Sequence, residues 1–167
     1  ILLAAMPIIF KLLIEESYSS AYIYIPILIC ASFFELFSVL IGGVFIALKL
    51  PKKIATTTVI GGIINIAINT LFLKKYGIIV ACISTLVSYI YISVTRYIKI
   101  SKYVKIKLNS YKYFLIIILY IITVFIYYYK SVIVSIVNII ILCIAFFKIN
   151  QENLMTILKK ITKMKNI

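Results

Sequence analysis

The strongest constraint in this sequence is a pair of apolar runs, residues 54–73 and 78–95, separated only by Lys74-Lys75-Tyr76-Gly77. Each run is long enough, as a helix, to cross a hydrocarbon core of roughly 30 Å. A short basic turn, Lys49-Leu50-Pro51-Lys52-Lys53, opens the first. That run carries Thr58, Gly62, Asn65 and Asn69 at steps of four, three and four, which lays small and amide side chains along one helix face. The second carries Ser84, Ser88, Tyr91 and Thr95 at the same steps. Lipid tails give helices no hydrophobic reason to associate, so close-packed membrane helices use small and polar stripes of this kind.

The rest of the chain repeats the theme. Apolar residues make up 65% of 167 and charged residues 13%. A soluble domain is nearer half apolar and a quarter charged, so the expected fold is an all-α, polytopic transmembrane helical bundle. Residues 1–14 read as a partial helix that begins inside an apolar run without a charged leader. The chain is therefore expected to be the C-terminal part of a longer protein. Helices are predicted over about 18–48, 54–73 and 78–95. A basic linker over 96–112, a transmembrane hairpin over 113–147 and a basic amphipathic tail over 148–167 follow. Tyr18, Tyr22 and Tyr24 at one helix start, and Tyr113 with Tyr127-Tyr128-Tyr129 around another helix, read as interfacial aromatic belts. In the tail, Leu154, Ile157, Leu158 and Ile161 share a face, with Lys159, Lys160 and Lys163 around it. That pattern suits a helix lying on anionic membrane lipids.

The net charge of +14 does not indicate nucleic acid, because the cations fall in short segments between apolar runs. Fourteen of the 18 Lys and Arg residues lie in 49–53, 96–112 and 148–167. This bias puts those segments, and the C-terminus, on the cytoplasmic side. Cys30, Cys82 and Cys143 all fall within apolar runs, where packing is the simplest role.

Glu35 is the one acid inside a predicted span, and an intramembrane carboxylate is a functional candidate by default. It shares a stripe with Ala31, Ser38 and Gly42, which turns it toward the bundle interior. Its readings are a proton- or cation-coupled site, a polar lining for a translocation path, and a protonated carboxyl hydrogen-bonded to a neighbouring helix. Asn65, Asn69, Ser84 and Ser88 are candidates for a transport path or for polar contacts between helices. Gly42, Gly43, Gly61, Gly62 and Gly77 read as close-approach or hinge positions. No phosphate-binding glycine loop, zinc spacing, Ser/His/Asp set or paired carboxylate is present. The expectation is no enzyme, no catalytic residue, no metal and no cofactor.

The run Ser17-Tyr18-Ser19-Ser20-Ala21 and Ile25-Pro26-Ile27-Leu28 resembles the entry to a late helix of bacterial polysaccharide flippases. So does the order of Gly43, the Pro51 turn, Gly62-x-x-Asn65-x-x-x-Asn69, Gly77 and Ala81-x-x-Ser84-Thr85-x-x-Ser88-Tyr89. These are the O-antigen and capsule repeat-unit exporters of the multidrug, oligosaccharidyl-lipid and polysaccharide exporter superfamily. The resemblance covers about residues 5–95, with Val80 where the family often has a second glycine. It implies the end of the second lobe of a two-lobe, alternating-access transporter in the bacterial cytoplasmic membrane. The implied substrate is an oligosaccharide on a polyprenyl pyrophosphate, and other polysaccharide-assembly proteins are implied partners. Cations for the pyrophosphate would come from the N-terminal part, since none is expected mid-span here. Two alternatives remain: a small-amphiphile exporter on the same scaffold, and a membrane glycosyltransferase or polymerase. The short external turns, without Asp or His, disfavour the second alternative.

Overall fold

The structure is a computed structural model that describes residues 1–13, 16–104, 110–129 and 131–165, with side chains throughout except at 13, 16–19, 110, 113 and 152–165. It contains six α-helices: α1 (Leu2–Leu13), α2 (Ile25–Ala47), α3 (Pro51–Tyr76), α4 (Ile78–Ile100), α5 (Ser110–Tyr128) and α6 (Val132–Lys165). A 3₁₀ stretch, Glu16–Tyr24, precedes α2. Among the described residues there is no strand, and the chain is an all-α helical protein as expected.

Among the described residues, four segments are long and apolar enough to cross a membrane: Ser20–Ala47, Pro51–Tyr76, Ile78–Ile100 and Val132–Gln151. Leu2–Leu12 and Phe114–Tyr128 are shorter apolar helices. Large apolar side chains such as Leu36, Leu40, Val59, Ile63, Leu71 and Ile133 are exposed. The buried positions, by contrast, include Ser38, Thr57, Ser84, Ser88 and Ser93. That inversion fits a chain whose solvent is lipid, because a water-facing surface would avoid such extended apolar area. The protein is a multi-pass membrane protein.

The chain divides into two compact units, residues 20–107 and residues 1–19 with 108–167. In the first, α4 lies against both α2 and α3, which touch each other little. Its buried face recurs every four residues, through Val80, Ser84, Ser88, Ile92, Arg96 and Ile100. The α3–α4 turn is a single residue. Gly77 has φ +69° and ψ −155° and closes α3 by donating its N–H to the Leu73 carbonyl at 2.9 Å. That backbone region is open essentially to glycine alone, so the sequence expectation of a turn glycine holds at this position. The α2–α3 turn works differently. Lys49 takes φ 57°, Leu50 N–H returns to the Phe45 carbonyl at 2.8 Å, and Pro51 starts α3, where its missing N–H costs nothing. In the second unit, α1 packs on α5 and α6. Leu3, Ala4, Thr123, Tyr127, Ser135 and Asn138 are buried there.

Several boundaries differ from the sequence reading. The α-helix of the second segment starts at Ile25, with Pro26 in its first turn, so the expected helix start at 18 is replaced by a 3₁₀ lead-in. Tyr22, expected in an aromatic belt, is buried against the protein. The side chains of Tyr18 and Tyr113 lie outside the described residues, as does Lys130. Helix α4 continues through Arg96 to Ile100, five residues past the expected end. The linker therefore begins later, and its residues 105–109 lie outside the described residues. Finally, α6 runs unbroken to Lys165, where a hairpin helix and a separate tail were expected. No glycine or proline stands between 132 and 165 to stop it. The tail's amphipathic side-chain pattern lies outside the described side chains.

Candidate functional site: a polar groove between two membrane helices

Helix periodicity sorts the small residues of α3 onto two adjacent faces. Thr57 and Gly61, four apart, are the buried ones. A Cβ on Gly61 would come within 2.5 Å of Ile92 Cδ1, so this glycine is where α3 and α4 approach closely. Thr58, Gly62 and Asn65 turn into a groove of about 370 Å³ that Gly61 also borders, completed by Ile66, Thr85, Ser88, Tyr89 and Ile92. A Cβ on Gly62 would meet nothing within 4 Å. The expectation that Gly62 mediates helix contact is thus corrected: Gly61 packs, and Gly62 keeps the groove open. Gly43 also faces open space.

Three polar arrangements border the groove. At one end, Asn69 Nδ2 donates to Ser84 Oγ at 2.8 Å, and to the Asn65 carbonyl and side-chain oxygens at 3.0 Å. Asn65 Nδ2 reaches Ser84 Oγ at 3.3 Å and Thr85 Oγ1 at 3.4 Å. Both hydroxyls donate back to the Ala81 carbonyl, at 3.0 and 2.8 Å, which turns their lone pairs toward the amides. These bonds join α3 to α4. Interhelical hydrogen bonds of this kind are worth about 0.6–2 kcal/mol each in membranes. Asn69→Ala is accordingly expected to lower the melting stability of the chain in detergent by about 1 kcal/mol. Gln at 69 should not restore it, because the longer arm misplaces the amide.

At the other end sits Arg96, only 5% exposed. Its Nε donates to Thr57 Oγ1 at 3.0 Å, one terminal nitrogen to the Ser38 carbonyl at 2.9 Å, and the other to Thr58 Oγ1 at 2.8 Å and the Ile54 carbonyl at 3.4 Å. Both threonines donate their own protons to α3 carbonyls, Thr57 to Ile54 at 2.9 Å and Thr58 to Ile54 at 3.0 Å. Their lone pairs are thereby free for the guanidinium. Gly42 supplies the room on α2: a Cβ there would sit 3.3 Å from the Arg96 nitrogen that bonds Ser38. One planar fork thus ties α4 to both neighbours without a carboxylate. The sequence reading assigned Arg96 to a linker beginning at residue 96, and the structure corrects this: Arg96 lies inside α4, four residues before its end at Ile100. The signal was present in the steps of four that link Ser84, Ser88, Ile92 and Arg96.

Glu35 comes from α2. The Tyr89 side chain, on the groove wall, lies near the Glu35 side chain. Ser38 Oγ caps the Glu35 backbone carbonyl at 2.8 Å. Ser93 Oγ bonds the Phe34 carbonyl at 2.5 Å and fixes α2 on α4 beside it. Arg96 thus stands one residue behind the groove, bonded to Thr58, and the half-buried Glu35 lies near Tyr89. Within the groove, Ser88 Oγ is fully buried and has no hydrogen-bond partner. An unpaired buried hydroxyl costs roughly 1–3 kcal/mol, and Asn69 Oδ1 is buried without a partner as well.

Of the sequence candidates, Asn65, Ser88, Gly61 and Gly62 meet at this groove, Ser84 and Asn69 support it from one side, and Glu35 lies near its Tyr89. Gly42 serves the Arg96 fork and Gly77 the turn. Tyr89, Thr85 and Arg96 are additions that the sequence candidates did not include. Among the described residues no group of three His, Cys, Asp or Glu side chains could hold a metal ion. Compared with protein-family models, with curated proteins and with solved structures, the chain gives no significant match.

Proposed function

We propose that this chain is the C-terminal part of a transporter that flips polyprenyl-pyrophosphate-linked oligosaccharide repeat units across a bacterial cytoplasmic membrane by alternating access, with its C-terminus in the cytoplasm. The reading makes it a carrier without catalytic residues or cofactor. What carries it is the groove. Hydroxyl and amide groups of Thr58, Asn65, Thr85, Ser88 and Tyr89 share one concave wall within two membrane-spanning helices. Lipid has no hydrogen bonds to offer such a wall, whereas a hydrated path or a hydroxyl-rich substrate does. The substrate class comes from the sequence resemblance in residues 5–95, whose Gly62, Asn65, Ser88 and Tyr89 all line this wall.

Glu35 supplies the coupling step in this reading. As a carboxylate it would offer the nearby Tyr89 hydroxyl a charged acceptor, and on protonation that attraction would weaken. Proton uptake would thereby loosen a groove-lining side chain. Glu35→Gln keeps the shape and removes the charge. In cells lacking their own exporter, the full-length Gln variant at matched membrane levels is expected to lose gradient-dependent glycan export while remaining folded. Full rescue over a range of external pH would reduce Glu35 to a packing role.

A further inference from the structure

We propose that the corner where the α2–α3 turn meets the end of α4 is a binding surface for anionic phospholipid headgroups. Lys49, Lys52 and Lys53 stand at the end of α2 and start of α3, and Lys99 and Lys102 at the end of α4. Lys53 Nζ donates to the Tyr103 hydroxyl at 2.6 Å and lies 4.5 Å from that ring's centroid. This contact folds the 101–104 turn back over the first turn of α3, so two sets of cations that could have splayed apart converge. The platform beneath them is firm. Phe45 and Ile100 are both 0% exposed and pack with Ile41, flanked by Val44, Leu50, Ile54 and Tyr97.

Five lysines thus stand on adjoining helix ends, with no described acid in those segments. The nearest described carboxylate along α2 is Glu35, twelve residues back from Ala47 and near Tyr89. Like charges fixed in this way repel unless anions gather against them. The corner lies at the ends of three spans, Ala47, Pro51 and Ile100, which is headgroup depth. The anion abundant at that depth is the lipid phosphate. Each lysine near an anionic surface contributes about 1 kcal/mol of attraction, screened within a Debye length. Lys49, Lys52 and Lys102 are exposed and Lys53 and Lys99 half-buried, so their head groups are free to meet it. The surface is independent of the groove and of any transport role.

The chain contains no tryptophan, which makes Val104→Trp, at the exposed position next to Tyr103, a single reporter at this corner that leaves the Lys53–Tyr103 contact in place. The full chain carrying it would be placed in phosphatidylcholine vesicles containing either brominated phosphatidylglycerol or brominated phosphatidylcholine at equal mole fraction. The expected result is stronger quenching by the brominated phosphatidylglycerol, with an association preference of about tenfold (~1.4 kcal/mol) that shrinks as salt rises. The triple variant Lys52→Gln, Lys53→Gln, Lys102→Gln should abolish the preference, and the same three positions changed to Arg should keep it. Circular dichroism verifies folding. If the Gln variant does not fold, the salt titration and the Arg variant still decide. Equal quenching by the two lipids, or a preference that survives the Gln triple, overturns the proposal. Quenching by neither lipid would show the corner covered by protein, and overturns it too.

Discussion

Arg96→Lys is expected to destabilise the α2–α3–α4 unit nearly as much as Arg96→Ala, by about 2 kcal/mol or more, whereas Arg96→Met should cost less than either. The conservative charge is the wrong replacement because geometry, not charge, is what this site uses. The guanidinium donates in one plane to Ser38 on α2 and to Thr57 and Thr58 on α3. A lysine ammonium is a single point on a flexible stem and cannot span acceptors on two helices. It would remain a desolvated charge with fewer bonds. Methionine removes that charge while filling much of the volume, and well-packed apolar replacements of buried ionic groups are often tolerated. Nor are the acceptors orphaned, since Thr57 and Thr58 already donate to their own helix. Thermal unfolding of the chain in detergent gives the order directly. A lysine variant as stable as the parent would mean that the fork does not hold the three helices.

The second large effect separates two neighbouring glycines. Gly61→Leu should lower stability by about 1–3 kcal/mol, the usual cost of forcing extra atoms into a packed contact, because even a Cβ there collides with the buried Ile92 side chain. Ile92→Ala in the same chain should return part of the loss by vacating that space. Gly62→Leu should melt like the parent, within about 0.5 kcal/mol, because its side chain enters the open groove. Equal destabilisation by both substitutions would show that the groove is absent in the folded protein.

Much of this arrangement was legible in the residues. The α3–α4 hairpin follows from two apolar runs with Pro51 and Gly77 at their ends, and the amide–hydroxyl contact follows from polar residues at helical steps. The Ala31, Ser38 and Gly42 stripe does face the bundle interior, where all three are buried. Arg96 was not legible because a hydropathy reading treats a charge as the end of a span. Its burial depends on acceptors from residues 38, 54, 57 and 58, far away in sequence. The roles of Gly61 and Gly62 could not be separated either. Successive helix residues point about 100° apart, and only the position of Ile92 on the facing helix decides which one is crowded. The length of α6 reflects the opposite problem: composition changes from apolar to basic near residue 148, and backbone hydrogen bonding continues across the change.

The central claim is that the groove bordered by Thr58, Gly62, Asn65, Ser88 and Tyr89 is part of a transport path. Glycan export by the full-length Gly62→Leu variant, in cells lacking their own exporter and at matched membrane levels, tests it most directly. The account predicts that export is lost while the melting temperature stays at the parent value, because the leucine blocks the path without touching the helix contact. Full export by a Gly62→Leu protein that melts like the parent would contradict it.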